Sequence, residues 1–180
     1  MTPTKTRSLD AAVDLLGTEG LRALTHARID ERAGLPKGST SNYFRTRATL
    51  LSGVLDQILQ REMAEFGTSF SPSTGADLVE ALCGMFEQVT VSNQILTTAR
   101  LVLFMEASHD DELREAINRG RDAMESWFVP AMARLGSRDP DGAAQAVIAC
   151  FEGLVLHRIA RHDHTDPRPL FERVVRGALG

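Results

Sequence analysis

The sequence predicts an all-α chain of about nine helices, and three observations carry that prediction. Apolar residues recur with a period near 3.6 and never alternate convincingly with a period of 2. Glycine and proline fall as punctuation between the periodic stretches, at Gly17 and Gly20, Gly34 and Pro36, Pro72 and Gly75, Gly136 and Pro140, and Pro167 and Pro169. Two of those prolines follow a carboxylate, in Asp139-Pro140 and Asp166-Pro167, which pairs a capping side chain with a first-turn proline.

Taken in order, the expected helices are Thr4–Leu16, His26–Ala33, Lys37–Tyr43, Arg47–Phe66, Gly75–Val91, Gln94–Ser108, Asp111–Leu135, Pro140–Arg161 and Pro167–Leu179. Thr25 caps the second, which is barely two turns long and must be held by packing. Gly34 stops it, Leu35 plugs the turn, and Pro36 presets the first dihedral of the third helix. The Asp111–Leu135 helix presents one apolar face, with Leu113, Ala116, Ile117, Met124, Trp127, Phe128 and Met132, and Pro130 inside it predicts a kink. A domain seam is expected at Thr46, separating residues 1–46 from 47–180.

The net charge of −4 is unevenly spread. Residues 1–50 carry eight Lys/Arg against five Asp/Glu, and residues 51–180 carry twelve against nineteen. A basic head on an acidic body suits a phosphate-facing module attached to a part that avoids phosphate. No run approaches the roughly 18 apolar residues of a membrane helix, and the opening MTPTKTRSLD lacks a secretory apolar stretch. Cys83 and Cys150 sit in apolar helical patterns without metal-type spacing and read as reduced core residues. The expectation is a cytoplasmic chain with no cofactor, no metal and no membrane partner.

The third helix is the informative one. Lys37–Tyr43 reads Lys, Gly, Ser, Thr, Ser, Asn, Tyr, with almost no apolar content, so core burial does not account for it. Its side chains have the donors and acceptors that read base edges or grip phosphates in a major groove. Gly38 leaves room for close approach, Arg45 and Arg47 flank the helix as phosphate ligands, and Phe44 anchors it from behind. A short helix, a tight glycine turn and a polar second helix make a helix-turn-helix pattern. The candidate DNA contacts are Thr25, His26, Lys37, Gly38, Ser39, Thr40, Ser41, Asn42, Tyr43, Arg45 and Arg47. Of these Ser39, Thr40 and Asn42 are expected to read bases. Asp30 is expected to be structural, pairing with an arginine or with the positive start of the third helix.

Over roughly residues 5–60 the chain resembles the TetR family. The residues that carry the likeness are Leu15-Leu16, Glu19-Gly20, Leu24-Thr25, Ile29, Ala33-Gly34, Lys37-Gly38, Phe44, Thr46-Arg47 and Leu50-Leu51, with STSN and RTR strings of an actinobacterial-type subgroup. Ser41 stands where the family usually has a phosphate-binding tyrosine, and Asp30 where it has a small residue. The resemblance implies a homodimeric, usually repressive regulator that binds a double-stranded DNA operator and is released by a small molecule. It also implies that Tyr43 and Thr25 touch phosphate.

Beyond residue 60 the expectations are architectural. Met85, Phe86, Phe104, Met105, Met124, Trp127, Phe128 and Phe151 are candidates for an apolar effector pocket, with Gln88 or Arg100 as a polar anchor, although such a stripe is more often a plain core. Small residues on the Pro140 helix, including Ala146, Ala149, Cys150 and Gly153, permit close helix approach. With Leu154 and His157, and with Phe171, Val174 and Val175 of the last helix, they are the candidate four-helix dimer interface. His162-Asp163-His164 lies between two helices and reads as a solvated turn. The long Arg47–Phe66 helix is the only continuous connection between the two parts and is expected to carry any movement. No nucleophile-base pair or phosphate loop emerges, so no enzyme is expected. The alternatives are an activator, or a helical ligand-binding protein or enzyme whose N-terminal domain is vestigial.

Overall fold

The computed structural model describes residues 3–66 and 70–180. Among these it contains nine α-helices and no strand. They are α1 (Thr4–Glu19), α2 (His26–Arg32), α3 (Ser39–Tyr43), α4 (Arg47–Phe66), α5 (Gly75–Glu87), α6 (Gln94–Glu106), α7 (Asp111–Arg134), α8 (Pro140–Arg161) and α9 (Arg168–Leu179). A 3-10 turn at Leu21–Ala23 and a π turn at Gln88–Ser92 were not anticipated. The π turn continues α5 where an α-helix to Val91 was expected, and Asn93 N donates to Gln88 O at 2.8 Å in the i to i+5 pattern. α7 runs on through Pro130 to Arg134.

The helix ends follow local chemistry. α2 closes in a Schellman motif: Gly34 takes φ +61°, Gly34 N donates to Glu31 O at 3.1 Å, and Leu35 N donates to Asp30 O at 2.8 Å. α4 opens on a reciprocal box in which Thr49 N donates to Thr46 Oγ1 at 3.1 Å and Thr46 N donates to Thr49 Oγ1 at 3.2 Å. That accounts for the RTR string, since the central threonine caps a helix between two outward arginines. α5 has the same device, with Thr74 Oγ1 accepting from Asp77 N at 3.1 Å and Asp77 Oδ2 accepting from Thr74 N at 2.9 Å. Thr74→Ala is expected to cost about 1 kcal/mol, read from the urea midpoint of Trp127 fluorescence. The α8 cap is Asp139, accepting from Gly142 N at 3.0 Å.

The helices form two compact units, one of Met1–Met63 with Gln94–Arg119, the other of Ala64–Asn93 with Gly120–Gly180. In the first, Leu15, Leu16, Ile29, Phe44, Leu51, Val54, Leu55 and Ile58 are buried together with Ala99, Leu103 and Leu113. α6 therefore belongs to the core around α1. Gly17 makes their crossing possible, because a Cβ there would sit 2.2 Å from Ile95 O. α1 is thus packed against a helix distant in sequence, a contact that periodicity did not reveal. In the second unit Leu78, Leu82, Phe86, Phe128, Met132, Val147, Ile148, Phe151, Val155, Phe171 and Val175 form the core. Phe171 lies against Phe86 (ring centroids 6.1 Å) and Phe151 (5.9 Å).

Candidate nucleic-acid interface

α3 is built by its neighbours, since five residues cannot sustain a helix by themselves. Gly38 enters it at φ +91°, a left-handed geometry that favours glycine. Arg7 of α1 reaches the turn before it, donating from Nη2 to Ala33 O at 2.6 Å and Gly34 O at 3.2 Å. Phe44 is buried behind it against Gly53 of α4, where a Cβ would meet the ring at 2.7 Å. α2 is held to α1 by ion pairs of Arg28 with Glu19 (2.6 Å) and of Arg32 with Glu19 (2.6 Å) and Asp14.

The expected contacts divide by geometry. Lys37, Ser41, Asn42, Tyr43, Arg45 and Arg47 are exposed, Tyr43 by 50%. Ser39 is half-buried and donates through Oγ to Pro36 O at 2.6 Å, while Ser41 Oγ donates to Gly38 O at 2.9 Å. Both hydroxyl protons are therefore used on local backbone, and what these serines keep for an incoming group is acceptor capacity. Asn42 has no side-chain hydrogen bond among the described residues. Thr25 is exposed and caps α2, its Oγ1 accepting from Arg28 N at 3.4 Å, and His26 beside it is half-buried.

Thr40 is a correction. It is 0% exposed and turned toward α2 and α1, so it does not present its hydroxyl to bases. Its Oγ1 donates to Asp30 Oδ1 at 2.5 Å and lies 3.3 Å from Ser8 Oγ. Asp30 also accepts from Thr40 N at 2.8 Å and from Gly38 N at 2.7 Å. Of the two partners expected for Asp30, it takes the start of α3. Burial pushes its carboxyl up, but the hydrogen bonds from Thr40 and Gly38 outweigh this and hold it below the ordinary value. Its stabilising contribution is thus complete above its unfolded value near 3.8 and is lost as pH falls through the lower folded value. The network stays charged at neutral pH.

Charge is sorted along the same lines. Lys37, Arg45 and Arg47 have no ion-pair partner among the described residues, whereas Arg28, Arg32, Arg61, Arg100 and Arg119 are each paired with a carboxylate. Lys5, which carries no local motif, places Nζ 5.8 Å from the Phe44 ring centroid. It joins the cations around the end of α3 across 39 residues of sequence, beyond any local pattern.

The other expected sites are placed as follows. Arg100, Phe104 and Met105 lie in the first unit. Arg100 Nε is 3.0 Å from Glu62 Oε1 with the two side chains 13% and 17% exposed, so the expected anchor is already engaged. Phe104 and Met105 are exposed, Met105 by 67%. Met85, Gln88, Met124 and Trp127 are half-buried in the second unit, while Phe86, Phe128 and Phe151 are packed into its core. Arg158 stacks 4.8 Å from the Phe86 ring centroid and donates to Thr165 O at 2.8 Å, which gives the His162–His164 turn a fixed frame. Burial pushes the thiols of Cys83 and Cys150 up.

On α8, Ala146, Ala149 and His157 are exposed and Cys150, Gly153 and Leu154 half-buried. Val174 is half-buried and lines, with Ala146 and Gly177, a groove of about 470 Å³ between α8 and α9. Phe171 and Val175 are corrections: both are buried in the second unit's own core and do not face outward. α8 also amends the reading of membrane-length runs. Alone among the described helices it is long and apolar enough to cross a membrane by composition, with a mean hydropathy of 1.3 and 33% of that window buried. One face is core, through Ala144, Val147, Ile148, Phe151 and Val155.

The architecture has clear relatives. It superposes on a transcriptional regulator from Rhodococcus sp. Rha1 with a TM-score of 0.85 at 15% identity, covering 98% of this chain and 96% of that one. A TetR transcription regulator from Haloarcula marismortui gives 0.82 at 14% identity, covering 99% and 97%. The multidrug binding protein EbrR, complexed with ethidium, gives 0.80 at 20% identity, covering 99% of each chain. At these identities the likeness establishes the fold. No curated protein matches the chain in sequence. Residues 9–54 match the model of bacterial regulatory proteins of the tetR family, and residues 73–180 match the tetracyclin repressor-like C-terminal domain. With the second match alone spanning more than half of the sequence, this chain belongs to the TetR family of transcriptional regulators.

Proposed function

We propose that the chain is a homodimeric repressor, held on a palindromic operator by residues 1–46 and released when a small molecule binds within residues 47–180. The single observation that carries the DNA reading is the group of exposed, unpaired cations Lys37, Arg45 and Arg47 bracketing a polar helix, while Arg28, Arg32 and Arg100 of the same unit are neutralised by carboxylates. Phosphate contacts from these cations, with Thr25, His26 and Tyr43, position the head, and Asn42 reads bases with Ser39 and Ser41 as acceptors. Family membership makes the protein a regulator without enzymatic activity, and it works in the cytoplasm, where the operator is.

The dimer is supported by α8. Only 33% of its most apolar window is buried in the single chain, and its outer face presents exposed Ala146, Ala149, Leu156 and His157 beside half-buried Gly153. A second copy packed there completes a four-helix interface that spaces the two heads. Release follows from linkage: an effector that prefers the form with misplaced heads must weaken the operator by the same factor. EbrR is complexed with ethidium and with proflavin, and those two planar compounds are the first probes to try on this chain.

Lys37→Ala tests the reading directly. It is expected to weaken binding to every duplex and to reduce the slope of log K against log salt by about 0.9. An unchanged slope removes Lys37 from the phosphate contacts. Asn42→Ala is expected to relax preference at one base position by about 1–3 kcal/mol, measured by competition among single-base operator variants. Uniform weakening would make Asn42 a positioning residue only.

A further inference from the structure

Asp30 is a charged group buried to 3% exposure without an ion-pair partner among the described residues. Burying a carboxylate is costly unless hydrogen bonds replace its water. Here the replacement comes from the entry to α3 itself: Gly38 N at 2.7 Å, Thr40 N at 2.8 Å and Thr40 Oγ1 at 2.5 Å. These are the amide of the residue that precedes a five-residue helix, an amide of its first turn, and its one buried side chain. The helix follows Gly38, a residue whose backbone is free to turn. Something outside α3 must therefore fix its rotation, and Asp30 is bonded to both points that define it. Residues advance by about 100° around a helix, so Asn42, two beyond Thr40, projects about 200° from it, on the face directly away from the anchor.

We propose that Asp30, acting through Thr40, is the positioning residue of the recognition helix, setting the rotation of α3 that aims Asn42 at base edges. This rests on the DNA-binding reading above. Arg45, in the turn after α3, and Arg47, at the start of α4, lie outside the lock, so their hold on phosphate does not depend on it. Loss of the lock should blunt discrimination while leaving electrostatic grip in place.

The experiment uses the full-length protein, the operator that wild type selects, and a scrambled duplex of equal length. Affinities for both are measured by fluorescence anisotropy over a salt series, with circular dichroism giving the folded fraction. Asp30→Asn replaces one acceptor oxygen by a donor facing donors. It is expected to lower operator affinity about 10–100-fold, with scrambled-duplex affinity and salt slope unchanged. Thr40→Val, the milder variant should Asp30→Asn fold poorly, is expected to move the ratio the same way, and Thr40→Ser, which keeps the hydroxyl, to preserve it. An operator-to-scrambled ratio unchanged in folded Asp30→Asn or Thr40→Val, or equal losses on both duplexes, would overturn the proposal by leaving Asp30 a purely structural carboxylate. Failure of wild type to prefer any duplex would overturn the DNA-binding reading, and this inference with it, before any variant is compared.

Discussion

Gly17→Ala is expected to destabilise the first unit by about 3 kcal/mol or more, at the upper end of what overpacking costs. The added Cβ would lie 2.2 Å from Ile95 O, 2.7 Å from Ile95 Cγ2 and 2.9 Å from Ile95 C. A side chain can rotate out of such a clash, but a backbone carbonyl moves only with its helix. Relief therefore requires α1 and α6 to separate by roughly an ångström, beyond the tolerance of an interior packed to near-crystalline density. The consequence reaches α3, because α1 supplies Ser8 beside Thr40 and Arg7 at Gly34. Urea unfolding followed by circular dichroism at 222 nm should show a lowered midpoint for the first unit. A midpoint equal to wild type would mean that α1 and α6 are not in this contact.

Phe171→Ala is expected to cost about 3–5 kcal/mol through the cavity it leaves. The ring is fully buried, stacked near Phe151 at 5.9 Å and edge-on to Phe86 at 6.1 Å, so its removal strips contacts from two neighbours that cannot collapse together. Trp127 is the single tryptophan and lies in the same unit, so its fluorescence reports this unfolding without interference. The measurement also separates two roles for α9. A residue serving the subunit's own core lowers stability at every protein concentration, whereas an interface residue shows its largest loss in dilute solution. Ala149→Arg, on the exposed face of α8, is expected to show the second pattern. A concentration-dependent loss for Phe171→Ala would return that residue to the interface.

What the sequence disclosed, and what it concealed, follows from the range of the interactions. Thr25, Gly34 and Asp139 act within a few residues of themselves, and each does in space what its position implied; Pro36 does not open α3, which starts three residues later at Ser39 behind a left-handed Gly38 instead of at Lys37. The polar character of α3 is likewise local, and so are the exposed arginines around it. Thr40 was misread because a polar residue on a polar helix looks outward until its partner is known, and those partners, Asp30 and Ser8, are 10 and 32 residues away. Phe171 and Val175 sit on a strongly amphipathic helix, and periodicity specifies the width of an apolar stripe but not whether it meets its own core or a second copy. Gly17 reads as punctuation, yet it and Gly53 are points where another element comes too close for a side chain. The π turn at Gln88–Ser92 has no compositional signal of its own.

The central claim is that α3, locked from behind by Asp30, reads duplex DNA as one of a symmetric pair. Selection of bound duplexes from a random pool by the purified full-length chain tests it most directly. The expected result is enrichment of an inverted repeat whose half-site centres lie one helical turn or a multiple of it apart, about 34–36 Å per turn, with enrichment lost when Asn42 is replaced. Recovery of a single unrepeated site, or of no preferred sequence at low salt, would contradict it.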